Sequence, residues 1–346
     1  GESLENFALW SALVFENGDI NLPERYASID APGVKQARER LSSDIEFWQW
    51  CQWIVFDQLI RAQEGARRLG MDMGIMSDLA VGVHSKGSEI WSMPDAFAPG
   101  MSVGAPPDMY SQQGQNWAQP PWSPRSLAQM GYAPLRDMLR SVLSYAGAVR
   151  IDHILGLFRL WWIPEGMGAQ AGAYVSYDHE AMVGIVLLEA QRAGAVVIGE
   201  DLGTVEPWVR GYLNDRGILG TSVLWFEKDG SGWPLWPDHY RRSCLAAVTT
   251  HDLPPTLGYL EGAHTELRNE LGLLVEDFDQ VRDADRIERE RMVSRLKEGG
   301  FIHEDDPSEE ELVLAMHAYL AASPALLLAV SLVDVVGEKL PQNLPG

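Results

Sequence analysis

Three segments of the 346-residue chain end an apolar run on a carboxylate: AVRID at 148–152, AVVIGED at 195–201 and CLAAVTTHD at 244–252. Residues two apart in a strand face the same side, so Arg150 and Asp152 share a face, with His153 next in line. Asp152, Glu200 and Asp252 are 48 and 52 residues apart, spacings of one or two strand–helix units. Several carboxylates, an arginine, the histidines 153 and 251 and no metal-spaced cysteines suit cleavage of a glycosidic bond. A retaining enzyme of that kind needs one ionised carboxylate as nucleophile and one carboxylic acid to protonate the leaving oxygen, roughly 5–5.5 Å apart. A cation on the same strand face lowers a carboxyl pKa, which fits Asp152 as the nucleophile. Glu200 follows four apolar residues and Gly199, and Asp201 adjoins it. Burial or like charge there suits an acid that holds its proton near neutral pH. Asp252 is then placed to accept hydrogen bonds from sugar hydroxyls as the ring flattens.

A single aspartate at a strand end is usually a helix cap or a turn former. The motifs RIDH, GEDLG and TTHDLPP carry the reading only together. Asp78 ends an earlier run, MGIMSD, and is a weaker candidate; Asp334 ends a later one and is expected to be structural. His153 and His251 read as orienters of the neighbouring carboxylates or as polar groups of the rim. The chain has thirteen tryptophans, and Trp117, Trp122, Trp161 and Trp162 lie in or beside the candidate site loops. An indole face packs on a sugar ring, and its N–H donates to a hydroxyl. Core packing is the expectation for at least one of Trp161 and Trp162.

Positioning these groups calls for alternating strands and helices. Strands are expected near 73–78, 148–152, 195–200, 221–226, 245–250 and 327–333. Helices are expected over about 44–69, where Phe47, Trp50, Cys51, Ile54, Leu59 and Ala62 recur near helical spacing, and over 125–146, 178–193 and 207–214. That alternation points to an α/β fold with a parallel sheet. In a (β/α) barrel the C-terminal strand ends meet at one mouth. Residues 84–124, rich in Gly, Pro, Ser and Gln, read as an active-site loop region within the domain. Residues 255–322 read as an acidic helical insert, with Leu267, Leu271, Leu274, Phe278 and Val281 on one helical stripe.

Composition narrows the partners. At 46% hydrophobic the chain can bury a large core, and its net charge of −22 disfavours nucleic acid and anionic membranes. From Glu261 to Glu311 the net charge is −10, read as a solvated helical face. Cys51 and Cys244 stand far apart, which fits a reducing, cytoplasmic setting. No apolar run is long enough to predict a membrane helix, and GESLENFALW has no signal-peptide layout.

Four segments, VRIDHILGLFRLWWIPEG, VIGEDLGTV, TTHDLPPTLGY and GAPPDMYSQQGQNW, together resemble the amylomaltases, 4-α-glucanotransferases related to the α-amylases. The resemblance runs through nearly the whole chain. It implies a (β/α)8 TIM-type barrel, with two barrel strands expected before residue 1 and a further helix after Gly346. It implies retaining transfer of α-1,4-glucan segments, without cofactor or metal, from maltodextrins to another glucan, glucose or maltose. Residue by residue it makes Asp152 the nucleophile, Glu200 the general acid/base and Asp252 the transition-state stabiliser. Arg150, His251, Asp78 and Asn343 fall on its substrate-binding positions, and Tyr110 on the loop that covers bound glucan. His153 and Trp117 join the candidate binding residues. Ser77 and Ala118 stand where glycine is common in that family. A retaining α-glucan hydrolase is the nearest alternative. The others are a non-catalytic glucan-binding fragment and a metal-dependent hydrolase with Asp78, Asp152, His153, His251 and Asp252 as ligands.

Overall fold

The six expected strands are present, in two sets of three, in the computed structural model, which describes residues 1–107, 113–203 and 205–343. The chain divides into two units, Gly1–Glu200 and Asp201–Gly346.

The first unit carries β1 (Met76–Leu79), β2 (Met101–Ala105), β3 (Gln115–Gln119), β4 (Ala148–Ile151), β5 (Arg159–Pro164), β6 (Ala173–Ser176) and β7 (Val196–Gly199). Strands β1, β4 and β7 form a parallel sheet with β4 in the centre, and Asp78, Arg150 and Ile198 stand side by side in its register. All four residues of β4 are buried, as a strand covered on both faces requires. Part of that cover comes from the helix Ala133–Leu143, which buries Leu135, Leu139 and Leu143 along one stripe. The helix His179–Ala193 packs on it and buries Met182, Val183, Val186 and Ala190. The Asp178 side chain starts that second helix by accepting the Ala181 N–H at 3.1 Å.

Two sequence expectations change here. The helix expected over 125–146 is two, Pro124–Gln129 and Ala133–Leu143, because Tyr132 between them takes a left-handed conformation at φ 56°. The region 84–124, read as loop, contains β2 and β3, which join β5 and β6 in an antiparallel sheet of order β3-β2-β5-β6. Gly104 explains why the strand signal was weak: a Cβ there would lie 1.9 Å from the Gln115 carbonyl oxygen, so the close β2–β3 approach admits only glycine. The long helix Ser42–Arg68 forms as expected, but it buries only Ile45 and Gln63, and Phe47 and Trp50 are about half exposed (53% and 56%). A separate apolar cluster ties the helix Glu2–Asn17 to the chain around Val34, Leu41, Ile45 and Trp91.

The second unit holds β8 (Gly220–Val223), β9 (Cys244–Ala247) and β10 (Leu327–Ala329), parallel, with β9 central. Its core gathers Val223, Cys244, Ala246 and Val248 with Met292, Leu296, Met316 and Tyr319 from the helices Phe278–Glu298 and Glu309–Ala321. The stripe Leu267–Val281 is not one helix. The chain leaves the helix at Glu270 and restarts at Phe278, where Asp277 caps it by accepting the N–H groups of Asp279 and Gln280. The last strand is shorter than expected, and Asp334 lies beyond it on the turn of helix Leu332–Val335. Its buried carboxylate accepts the Thr256 N–H and hydroxyl, both at 2.8 Å, which is the structural role expected of it.

Candidate active site

Arg150 organises the first unit's candidate site. Its side chain is nearly buried, and one arm donates to Asp78 Oδ1 at 2.7 Å while the other stands 3.0 Å from Asp152 Oδ1. Strand logic predicts the Arg150–Asp152 pairing; the lateral register of β1 against β4 adds Asp78. Burial works against the charge on Arg150. The bond to Asp78 and the charges of Asp78, Asp152 and Glu200 outweigh it and hold the guanidinium pKa above its ordinary value. Asp152 remains about one-third exposed, so a nucleophile there is reachable.

Glu200 is tied to the end of β4 and the turn after it through three backbone groups. Its N–H donates to the Ile151 carbonyl at 2.9 Å, and its carbonyl accepts the Ile154 N–H at 3.0 Å. Its carboxylate Oε2 accepts the His153 N–H at 3.1 Å. His153 adopts a left-handed conformation, φ 44°, ψ 59°. Gly199 allows this turn to sit close, because a Cβ there would come within 2.5 Å of Ile154 Cδ1. So Asp152 and Glu200 are joined through one residue, His153, whose backbone follows the first and binds the second. Burial pushes the His153 imidazole down to about 4, so it is neutral at pH 7.

Trp117 lies on β3, and its ring meets the His153 ring edge-on, centroids 5.4 Å apart. Its indole N–H donates to Gln115 Oε1 at 2.8 Å, which fixes the ring. Gln115 was not among the sequence candidates, and its polar neighbourhood offered no signal. Trp161 lies on β5; its N–H donates to the Ala169 carbonyl at 2.8 Å and its ring meets Tyr174 edge-on.

In the second unit Asp252 follows β9 and is partly exposed. Asn343 Nδ2 donates to Asp252 Oδ1 at 2.7 Å, and His251 Nε2 stands 3.3 Å from Asp252 Oδ2. Three candidates, two of them 91 positions apart in sequence, therefore meet at Asp252. Asp201 requires a correction. Read as a like-charged neighbour of Glu200, it is buried and paired: Arg241 donates to both its oxygens, at 2.6 and 2.8 Å, and the Thr221 N–H donates at 2.9 Å. Its negative charge is matched by a guanidinium forty positions away, so its role is to anchor the segment after Glu200.

Tyr110 lies outside the described residues. Among those described, no group of three or more His, Cys, Asp or Glu side chains is arranged to hold a metal ion, and no helix is long and apolar enough to cross a membrane. Where the metal-dependent alternative would have a cation between Asp78 and Asp152, the structure has the Arg150 guanidinium.

Known proteins share this arrangement of chain and fold. A family model described as 4-alpha-glucanotransferase matches residues 1–346. The 4-alpha-glucanotransferase of Mycobacterium bovis is 50% identical over 353 residues, covering 100% of this chain and 49% of the relative. That of Haemophilus influenzae is 37% identical over 310 residues, covering 87% and 44%. The solved amylomaltase of Corynebacterium glutamicum is 43% identical with a TM-score of 0.89, over 100% of this chain and 49% of that one. The amylomaltase from Streptococcus agalactiae in complex with acarbose has a TM-score of 0.78 at 19% identity, over 99% and 66%, a likeness of fold alone. The chain spans about half the length of the curated relatives it matches.

Proposed function

The chain belongs to the 4-alpha-glucanotransferase family, and from that premise we propose that it moves α-1,4-glucan segments between sugars by a retaining double displacement. Asp152 attacks the anomeric carbon of a bound glucan as Glu200 protonates the departing glycosidic oxygen. The donor segment stays on the enzyme as a glycosyl ester of Asp152. The 4-hydroxyl of an acceptor glucan, glucose or maltose then gives its proton to Glu200 and takes the segment. Asp252 holds ring hydroxyls as positive charge builds at the anomeric carbon, with His251 and Asn343 orienting its carboxylate. Asp78 and Arg150 hold the donor ring, Trp117 offers it an aromatic face, and Tyr110 belongs to the segment that covers bound glucan. No organic cofactor enters these steps.

The observation that carries this reading is the Arg150 bridge between Asp78 and Asp152 at adjacent strand ends. A guanidinium beside a carboxylate favours its ionised form, which a nucleophile needs. A (β/α)8 barrel, with 84–124 and 255–322 as insertions, is the fold that family likeness supports. A cytoplasmic setting fits the two isolated cysteines.

Maltotriose as sole substrate tests the proposal. Transfer yields longer oligosaccharides alongside glucose. Glucose and maltose alone would assign hydrolysis instead, and an absence of turnover would reject both.

A further inference from the structure

Asp152 and His153 also face a cavity in the first unit that the steps above do not use. Its walls include Leu79 and Val83 at and after the end of β1, Phe97 and Trp122, which pair across an isolated bridge, and Leu139 and Met182 from the two helices behind β4. Counted by where a water molecule's centre fits, its volume is about 80 Å³, several times the roughly 10–15 Å³ that one water needs. Arg150 and Glu200 do not line it.

The chemistry of the walls excludes most occupants. Tyr177 also lines the cavity, but its hydroxyl already donates to the Trp122 carbonyl at 2.8 Å. Besides the Tyr177 hydroxyl and the Trp122 indole, the polar side chains of the walls are those of Asp152 and His153, and the imidazole is neutral at pH 7. A sugar ring would bury more hydroxyls than these walls have partners for, which disfavours it. Water needs two to four polar partners and finds few. An anion would meet Asp152, and a cation would lose its hydration against leucine and methionine. A neutral apolar ring loses nothing comparable and gains roughly 25 cal/mol for each Å² of apolar surface it buries.

We propose that this cavity is a binding site for a small neutral aromatic ring, of the size of toluene or indole, set against the nucleophile and apart from the leaving-group side. A ring seated there contacts Asp152 and His153, the two residues that lead from the nucleophile to Glu200. It therefore slows turnover rather than competing for glucan, a consequence that rests on the transferase reading.

Calorimetric titration of the chain with indole is the direct test, joined by nuclear Overhauser contacts from indole protons to the methyl groups of Leu139 and Met182. Saturable one-site binding with those contacts is expected. Val83→Trp fills the cavity from a half-buried position, and Leu139→Phe fills it from the helix; each should weaken indole at least tenfold. With maltotriose, indole should lower kcat and leave KM within twofold. The proposal is overturned by an absence of saturable binding, by contacts only to methyl groups outside the cavity walls, or by undiminished binding in a folded filled variant. A rise in KM at constant kcat would place the ring on the glucan path and overturn it as well. Binding with no turnover of any glucan would sink the transferase reading and leave the ring site standing.

Discussion

Arg150 Nη2 stands 3.0 Å from Asp152 Oδ1, a pairing set by two side chains that leave the same face of one extended segment. The guanidinium is nearly buried and the carboxylate is not, so the cation is fixed while the anion stays within reach of a substrate. That asymmetry is what an attacking carboxylate needs.

Asp152→Asn keeps the shape and removes the charge of the proposed nucleophile. Turnover of maltotriose should fall below a few per cent, with the melting temperature within a few degrees, since the amide still meets Arg150 through its oxygen. A mechanism-based label that forms a stable glycosyl ester should be found by peptide mass on the peptide holding Asp152. A label on any other carboxylate would reassign the nucleophile.

Glu200→Gln leaves the backbone ties of this residue to Ile151 and Ile154 intact and removes the proposed proton donor. Donors with poor leaving groups should lose at least hundredfold in rate, a typical worth of general acid catalysis. A donor with an activated leaving group needs little protonation, so formation of the ester should be largely spared. Equal losses for both donors would count against Glu200 as the acid.

Much of this site was legible in the residues, and for identifiable reasons. The parallel strands announce themselves because short apolar runs such as AVRI and VVIG have to be buried on both faces. Same-face spacing pairs Arg150 with Asp152. What stayed hidden depends on partners that no local pattern encodes. The carboxylate of Asp201 meets Arg241 only through the fold, and Asp78 reaches Arg150 only through the register of β1 on β4. The antiparallel sheet was concealed because β3 reads QNWAQ, a polar strand exposed on alternate residues, and β2 carries a glycine that close packing demands. The stripe Leu267–Val281 kept helical spacing across a break, since spacing alone does not register where a cap such as Asp277 restarts the chain.

His153 makes stability depend on pH. Its imidazole titrates at about 4 in the folded chain, because burial disfavours the charge, against 6.5 when unperturbed. Between those values the unfolded chain binds the extra proton, so stability falls as pH falls. The contribution is whole above about 6.5 and is lost progressively on the way down to 4, reaching at most about 3 kcal/mol. His153→Asn removes the titrating ring, and asparagine tolerates the left-handed backbone that this turn requires. Denaturant melts at pH 7 and pH 5 should show the variant losing less than the parent, by up to about 2 kcal/mol. Parallel losses would mean that the imidazole is hydrated in the folded chain.

Ala118 adopts φ 55° on β3, beside Trp117. A side chain in that region costs roughly 1–2 kcal/mol, because Cβ crowds the following carbonyl oxygen. The Asn116 side chain offsets part of this by accepting the Ala118 N–H at 2.9 Å, a bond that glycine keeps. Ala118→Gly relieves the crowding but loosens the unfolded chain, which returns about 0.4–1 kcal/mol of the gain. A net stabilisation of about 0.5–1 kcal/mol follows from the difference. Urea melts should show a higher midpoint at unchanged slope, and turnover should stay within twofold, because Gln115 still holds the Trp117 indole. A lower midpoint would mean that packing of the Ala118 methyl outweighs the backbone strain.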